Sequence, residues 1–266
     1  MTEIPLTKPR NQLVVVIRTL GFCLGYPAFA LGCLLLALYG PLSKLGSQDD
    51  RRRVIRMRLV AHRLAHHYLR LLMLLRIVQV SWDQPRVLPA GMIIANHPSL
   101  IDVIWILSTQ PDITLVLKSD LERFAILRYL AHRLDYISNS DPEALLQAGT
   151  AKLKAGETLL VFPEATRTKP DEPVKFRLGA AEMAIRAGVP IHPIIIHKQG
   201  RYLSKSCPWY EFPEEKLYWR IEHADTIPAV ATTAPRQARR TLTARLQQDY
   251  RTRLGQSNGC TSSGGR

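Results

Sequence analysis

Between residues 19 and 43 the chain carries no charged side chain, and beyond that stretch the spacing of its apolar positions changes twice. The uncharged run has about the ~20 residues a helix needs to cross the ~30 Å hydrocarbon core of a bilayer. It is apolar all round and holds Gly21, Gly25, Pro27 and Gly32, which membrane helices tolerate better than soluble ones. A buried core helix is disfavoured by the lack of any polar face. A cleavable signal sequence, with Lys8, Arg10 and Arg18 as its basic region, is disfavoured because its apolar part is usually ~7–15 residues long. The run therefore reads as a retained membrane anchor. The period then becomes helical: Met57, Ala61, Leu64, Tyr68, Leu71 and Leu75 recur at spacings of three and four, and Arg56, Arg63 and Arg70 recur every seventh position on another face. With Arg51, Arg52, Arg53 and Arg58 nearby, this segment reads as a basic amphipathic helix in the interface, its arginines at anionic headgroups. A solvated helix packed on a core is the alternative. Basic residues flank the uncharged run on both sides, so charge bias sets no topology and a re-entrant helix pair stays open.

After Val80 short β-rich runs alternate with helical ones. Strands are expected at residues 77–82, 92–95, 114–118, 135–138, 158–162, 191–197 and 216–222, and helices at 100–108, 121–132, 142–155 and 179–187. That order implies an α/β fold, a largely parallel sheet flanked by helices and preceded by the N-terminal membrane-associated helix pair. Gly156 and Gly188 stand where helices should stop before strands. Residues 234–254 read as a basic terminal helix. The chain thus divides into an anchor with its amphipathic helix (1–80), an α/β domain (81–254) and a Gly- and Ser-rich tail (255–266) expected to be disordered.

Composition narrows the functional classes. The 266 residues are 46% hydrophobic and 22% charged, a balance that excludes a mainly disordered chain. A net charge of +14 suits a polyanionic partner, either nucleic acid or an anionic membrane. The basic residues beside the membrane segments account for much of that charge, and no nucleic-acid motif appears, so the expected partners are membrane lipids and no nucleic acid. Cys23, Cys33, Cys207 and Cys260 form no CxxC pair and no metal-ligand spacing.

Two stretches carry candidate chemistry. Asn96-His97-Pro98-Ser99-Leu100-Ile101-Asp102 follows the strand at 92–95 and precedes an apolar helix whose first position suits Pro98. With His97 on the strand-to-helix turn, Asp102 can curl back to its ring, fix the tautomer and stabilise the imidazolium while the other nitrogen takes a proton from an alcohol. A His and an Asp five apart also arise by chance, and alone a capping or core histidine would be the better reading. Phe162-Pro163-Glu164-Ala165-Thr166-Arg167-Thr168 likewise follows a strand, at the carboxyl edge where open α/β sheets place ligands. Arg167 offers a fork for a phosphate, and Glu164 can hold a substrate hydroxyl. Lys169, Lys175 and Arg177 add nearby charge, the two lysines being better read as solvated. No GxSxG elbow supports a serine hydrolase. A non-enzymatic basic membrane-binding protein is the reading of a different class.

Taken together, these stretches resemble the lysophospholipid acyltransferases, the family of bacterial 1-acylglycerol-3-phosphate acyltransferase. Asn96-His97 through Asp102 match its NHxxxxD motif; Phe162–Thr168 are similar to FPEGTRS with Ala165 and Thr168 changed; residues 175–179 resemble FKxG, and 189–194 resemble VPIVPV. The resemblance runs from about Val80 to Glu222, and the paired N-terminal helices fit it. It implies acyl transfer from acyl-CoA or acyl carrier protein to a lysophospholipid hydroxyl, with His97 and Asp102 catalytic, Asn96, Glu164, Arg167, Arg177 and Lys118 binding substrate, and no metal or bound cofactor. It also implies residence on the inner (cytoplasmic) membrane with the catalytic domain facing the cytoplasm. One departure stands out: the family's second motif ends in an Arg that helps bind the acceptor phosphate, whereas Tyr136-Ile137-Ser138-Asn139 has none. Lys118, Arg133 and Arg177 are candidate replacements. A phosphate-poor acceptor, such as a lyso-aminolipid or a specialised polyene lipid, is the alternative to lysophosphatidate.

Overall fold

A computed structural model describes residues 12–43, 49–82, 87–169, 172–200, 203–205, 207 and 217–255. Lys8, Arg10, Lys216 and the tail from residue 256 onward, with Cys260, lie outside the described residues.

The uncharged run forms most of helix α1 (Gln12–Leu42). It turns back into α2 (Asp50–Leu74), whose first amides are capped by Asp49 through a 2.9 Å bond from the Arg51 amide. The two helices form an antiparallel hairpin. Gly21 approaches Ile77 and Gly25 approaches Leu72 at one end, while Leu36 clusters with Met57 and Ala61 at the other. The hairpin is not a separate appendage: α2 packs on α3 (Asp102–Leu107), and α1 packs on α4 (Ala125–Arg133). Met57, Ala61, Ala65, Leu69 and Leu72 are buried toward the domain, whereas Leu64 and Tyr68 of the expected stripe are half-buried and pack with the α1 side. Arg58 corrects the reading that grouped it with headgroup-facing arginines. It is buried, donates to the Leu134 carbonyl at 3.0 Å, and pairs with Asp112 at 3.1 Å and Glu157 at 2.9 Å.

Seven strands form one sheet in the order β1-β7-β6-β2-β5-β3-β4. They are β1 (Val78–Trp82), β2 (Met92–Ala95), β3 (Thr114–Leu117), β4 (Ile137–Ser138), β5 (Leu159–Val161), β6 (Ile191–Gln199) and β7 (Leu217–His223). Every pairing is parallel except β6 with β7. The 80/81 division drawn on sequence falls within β1, which pairs with β7 in the domain's sheet.

Strand alternation sends residues to two apolar layers. Ile93, Ala95, Ile194 and Ile196 face the layer holding Leu69, Leu72, Trp105 and Ile106 from α2 and α3. Met92, Ile94, Ile191 and Ile195 face Leu153 of α5 (Pro142–Lys154), Met183 of α6 (Gly179–Ala187), and Leu246 and Tyr250 of α7 (Pro235–Arg253). Gly188 ends α6 in the left-handed region at φ 67°, where a side chain would be strained. The single helix expected at 121–132 is broken at Phe124, whose extended backbone separates a 3-10 turn (Ser119–Arg123) from α4. β2 thus lies near the middle of the sheet, flanked by β6 and β5, and its carboxyl end opens onto the two candidate stretches.

Candidate active site

Residues 96–101 do not enter the helix: α3 begins at Asp102, so Pro98 stands in the preceding turn and not at a first helical position. The turn lets Asp102 reach backward. One carboxylate oxygen accepts from the Ser99 amide at 2.6 Å and lies 3.0 Å from Nδ1 of His97; the other accepts from the Ser99 hydroxyl. Ser99 and Asp102 are both fully buried. A carboxylate locked by two Ser99 donors has one place left to direct its charge, toward the imidazole. The His97 side chain remains 19% exposed, which leaves a route to the ring.

The second stretch grips the first. Phe162 stacks on the His97 ring, with centroids 4.3 Å apart and planes at 26°. Glu164 accepts the His97 backbone N–H at 2.9 Å, and the Thr168 amide donates to the His97 carbonyl at 3.1 Å. Ala165 sits at φ 58°, the conformation glycine adopts freely, so the sharp turn forms here at some strain. Burial pushes the Glu164 carboxyl up to about 8, against the opposing pull of the His97 amide. Its second oxygen, Oε1, is buried without a hydrogen-bond partner among the described residues.

The remaining predicted residues separate. Asn96 is buried, and its side-chain amide pairs with the Ile196 backbone in both directions, at 2.9 and 2.7 Å. It extends the β2–β6 ladder and sets where His97 leaves the strand, a positioning role in place of the substrate contact expected. Arg167 directs Nη1 to the Leu203 and Ser204 carbonyls at 3.3 and 3.4 Å. Arg177 joins the second stretch through its backbone, its amide donating to the Pro163 carbonyl at 2.8 Å, while the residue is exposed. Lys118 is exposed and paired with Asp120. Arg133 donates to the Gly40 carbonyl at the end of α1. Asn139 is likewise occupied, accepting from the Ser119 amide at 2.9 Å. Sequence reasoning missed Ser99, although Ser99-x-x-Asp102 has the spacing of a capping box. Among the described residues, no cluster of three or more His, Cys, Asp or Glu is placed to hold a metal ion.

At the carboxyl edge of the sheet the His97–Asp102 pair has, among the described residues, no protein nucleophile hydrogen-bonded to it, an arrangement suited to acting directly on a substrate hydroxyl. Comparison with known proteins gives the class. Residues 79–197 match the family model described as Acyltransferase. A 1-acyl-sn-glycerol-3-phosphate acyltransferase of Pseudomonas aeruginosa is 29% identical over 133 residues, covering 46% of this chain and 49% of that protein. A lyso-ornithine lipid O-acyltransferase of the same organism is 27% identical over 123 residues, covering 45% and 46%. The crystal structure of the 1-acyl-sn-glycerophosphate (LPA) acyltransferase PlsC of Thermotoga maritima has the same fold, with a TM-score of 0.62 at 17% identity over 93% of this chain and 99% of that one. The chain spans about half the length of the curated Pseudomonas relatives it matches. Across residues 79–197 the chain is thus similar to acyltransferases of the 1-acylglycerol-3-phosphate acyltransferase kind, and its fold is theirs.

Proposed function

We propose that this protein transfers a fatty acyl group from acyl carrier protein or coenzyme A to the free hydroxyl of a lysophospholipid of the 1-acylglycerol-3-phosphate kind. The observation that carries the reading is the 3.0 Å contact between His97 Nδ1 and buried Asp102, with the ring still reachable from outside. Asp102 holds the proton on Nδ1, so Nε2 is the basic nitrogen. Nε2 takes the proton of the acceptor hydroxyl as its oxygen bonds to the thioester carbonyl carbon. The tetrahedral intermediate then collapses, the carbon–sulfur bond breaks, and the thiolate leaves with the proton from the imidazolium. The products are an ester and a free thiol, and His97 returns to its starting state. Lipid acceptors reach the site from a membrane on which the N-terminal helices rest, which we take to be the inner membrane with the domain on its cytoplasmic side.

A second reading keeps the chemistry and changes the acceptor. Asn139 stands where the resemblance leads one to expect a phosphate-binding Arg, and its side chain caps a turn. One relative is named for lyso-ornithine lipid. This reading makes a phosphate-free lysolipid the native acceptor.

Both readings are tested by incubating membranes that contain the chain with labelled acyl carrier protein or acyl-CoA and a panel of lysolipids. Acyl transfer to a lysolipid is expected, and His97→Ala should lower it by ~10² or more, the usual scale for a general base. Undiminished turnover in His97→Ala membranes would remove His97 from the mechanism. The ranking of lysophosphatidate against lyso-ornithine lipid separates the two acceptors.

A further inference from the structure

We propose, resting on the acyl-transfer reading, that the outer flank of α7 is the docking surface for an acidic protein, the carrier-protein form of the thioester donor. α7 holds six arginines and one acid, Asp249. Three of the arginines are engaged within the domain: Arg239 pairs with Glu182, Arg253 pairs with Asp249 and Glu222, and Arg251 donates to the Val174 carbonyl at 3.2 Å. Arg236, Arg240 and Arg245 are exposed and, among the described residues, have no carboxylate in ion-pair reach. Helix stability does not account for them. The first turn of α7 holds Arg236 and no acid, with Arg239 and Arg240 close behind, at the end where the helix dipole disfavours cations.

The charges form a track. Leu242, Leu246 and Tyr250 are the buried side of α7, whereas Arg236, Arg240, Gln247 and Arg251 recur at spacings of four and seven on one flank. That flank carries the strap at residues 174–177: Gln247 accepts the Phe176 amide at 2.9 Å, and Lys175 is exposed on the strap. From Arg236 to Arg251 the track runs about 22 Å along the helix. A small anion such as coenzyme A is held where donors converge on it, whereas charges strung over that length match an extended acidic surface. The place of α7 excludes the bilayer as that surface. α7 lies with α5 and α6 on one face of the sheet, and α2 and α3 lie on the other, so a bilayer that carries the N-terminal hairpin is across the sheet from these arginines. The track nevertheless leads to the site. Tyr250 donates to the Ile94 carbonyl at 2.7 Å, three residues before His97, and the strap ends at Arg177, whose amide holds the Pro163 carbonyl of the loop that grips His97. A carrier seated on α7 stands behind the carboxyl edge of β2, with its flexible thioester arm free to pass the strap to His97.

Steady-state kinetics of the full chain in detergent micelles, with acyl carrier protein and acyl-CoA as alternative donors, tests the surface. Arg236→Glu combined with Arg240→Glu should raise the KM for acyl carrier protein roughly tenfold or more, the scale of lost electrostatic steering, and leave kcat and the KM for acyl-CoA within about twofold. The wild-type KM for acyl carrier protein should climb as salt is raised toward 1 M, where the screening length falls to ~3 Å, and that of the double variant should change little. An unchanged KM for acyl carrier protein in the double variant, or a wild type that uses acyl-CoA alone, would overturn the proposal. If the double variant loses turnover with both donors, Arg240→Gln decides by the same comparison: a defect confined to the carrier protein supports the surface, and equal effects on the two donors refute it. If the wild type transfers no acyl group from either donor, the acyl-transfer reading falls instead. Fluorescence anisotropy with labelled acyl carrier protein then decides the surface alone: binding that the double variant loses supports it, and equal binding or none refutes it. Loss of binding to anionic vesicles or duplex DNA in the double variant, with carrier binding intact, would assign the arginines to that other polyanion and refute the carrier.

Discussion

Glu164 is held by its neighbours in a form it would not take in water. One oxygen accepts the His97 backbone N–H and the Thr168 side chain also favours the ionised form, but Oε1 is buried with no partner among the described residues, so ionisation would leave a charge compensated by few donors. Burial accordingly pushes the carboxyl up to about 8, and at neutral pH it is mostly protonated. The consequence for stability has a definite sign. The unfolded chain releases this proton near the ordinary value of 4.5, the folded chain only near 8, so between those values the fold binds more protons. Stability should therefore fall as pH rises through that window and level off above it. Glu164→Gln keeps an oxygen for the His97 amide and removes the titration. Its melting temperature should fall less than the wild type's between pH 5 and pH 8. Parallel melting curves for the two proteins would show that Glu164 ionises normally. At this scale the sequence was partly legible. His97 and Asp102 meet because the turn was readable from a strand followed by Pro98. The positioning role of Asn96 was not readable, because it depends on the Ile196 backbone arriving from β6, a hundred residues away in the chain.

Elements were more legible than residues where apolar patterning and backbone punctuation agree. β2 and α6 occupy the expected residues, the first an unbroken apolar run, the second closed by Gly188. The helix at 121–132 was misjudged because its apolar period runs through Phe124, and only the packed backbone reveals the extended residue there. The basic stretch of α2 shows the same limit. Arginine periodicity assigns all its members to solvent or headgroups, yet Arg58 falls on the buried stripe between Met57 and Ala61. There it joins α2 to the loop before β3, through Asp112, and to the turn before β5, through Glu157. Burial alone would raise the Glu157 carboxyl, but donors from Thr114 and Arg58 hold it below its ordinary value. Arg58→Ala leaves Glu157 with Lys152, at 3.7 Å, as its remaining cation and removes the donor to the Leu134 carbonyl. A loss of about 1–3 kcal/mol is expected, the scale of a polar group left without its partner, because Asp112 and Glu157 keep some exposure. Denaturant unfolding in micelles measures it, and adding Glu157→Gln should recover part of the loss. A loss below ~1 kcal/mol would mean that the hairpin is held by apolar packing alone.

For the whole molecule, the question is what covers α1. Its inner side is engaged along its length, by Ile77 and Leu72 near Gly21 and Gly25 and by α4 near Gly40. The opposite side is not covered: Leu20, Leu24, Leu31, Leu38 and Leu42 are each more than half exposed. An apolar stripe of that extent on a soluble protein would drive association, so lipid is its natural cover. Because α2 and α4 occupy the other side, a bilayer would meet α1 from one side, and attachment is expected to rest on burial of those leucines with exposed arginines such as Arg63 and Arg70 adding charge. The two contributions separate by salt. At 1 M salt the screening length falls to ~3 Å, which removes most of the arginine attraction and leaves apolar burial untouched. The intact chain should therefore sediment with anionic vesicles and stay bound through a high-salt wash. Replacing Leu24, Leu31 and Leu38 by Ser removes roughly 1.5–3 kcal/mol of transfer free energy at each position, without touching the inner contacts. That variant should still bind anionic vesicles at low salt through its arginines, and high salt should then release it. Wild-type protein found in the supernatant at low salt, or a triple variant that resists the wash as the wild type does, would show that the exposed stripe of α1 is not what holds the protein to the bilayer.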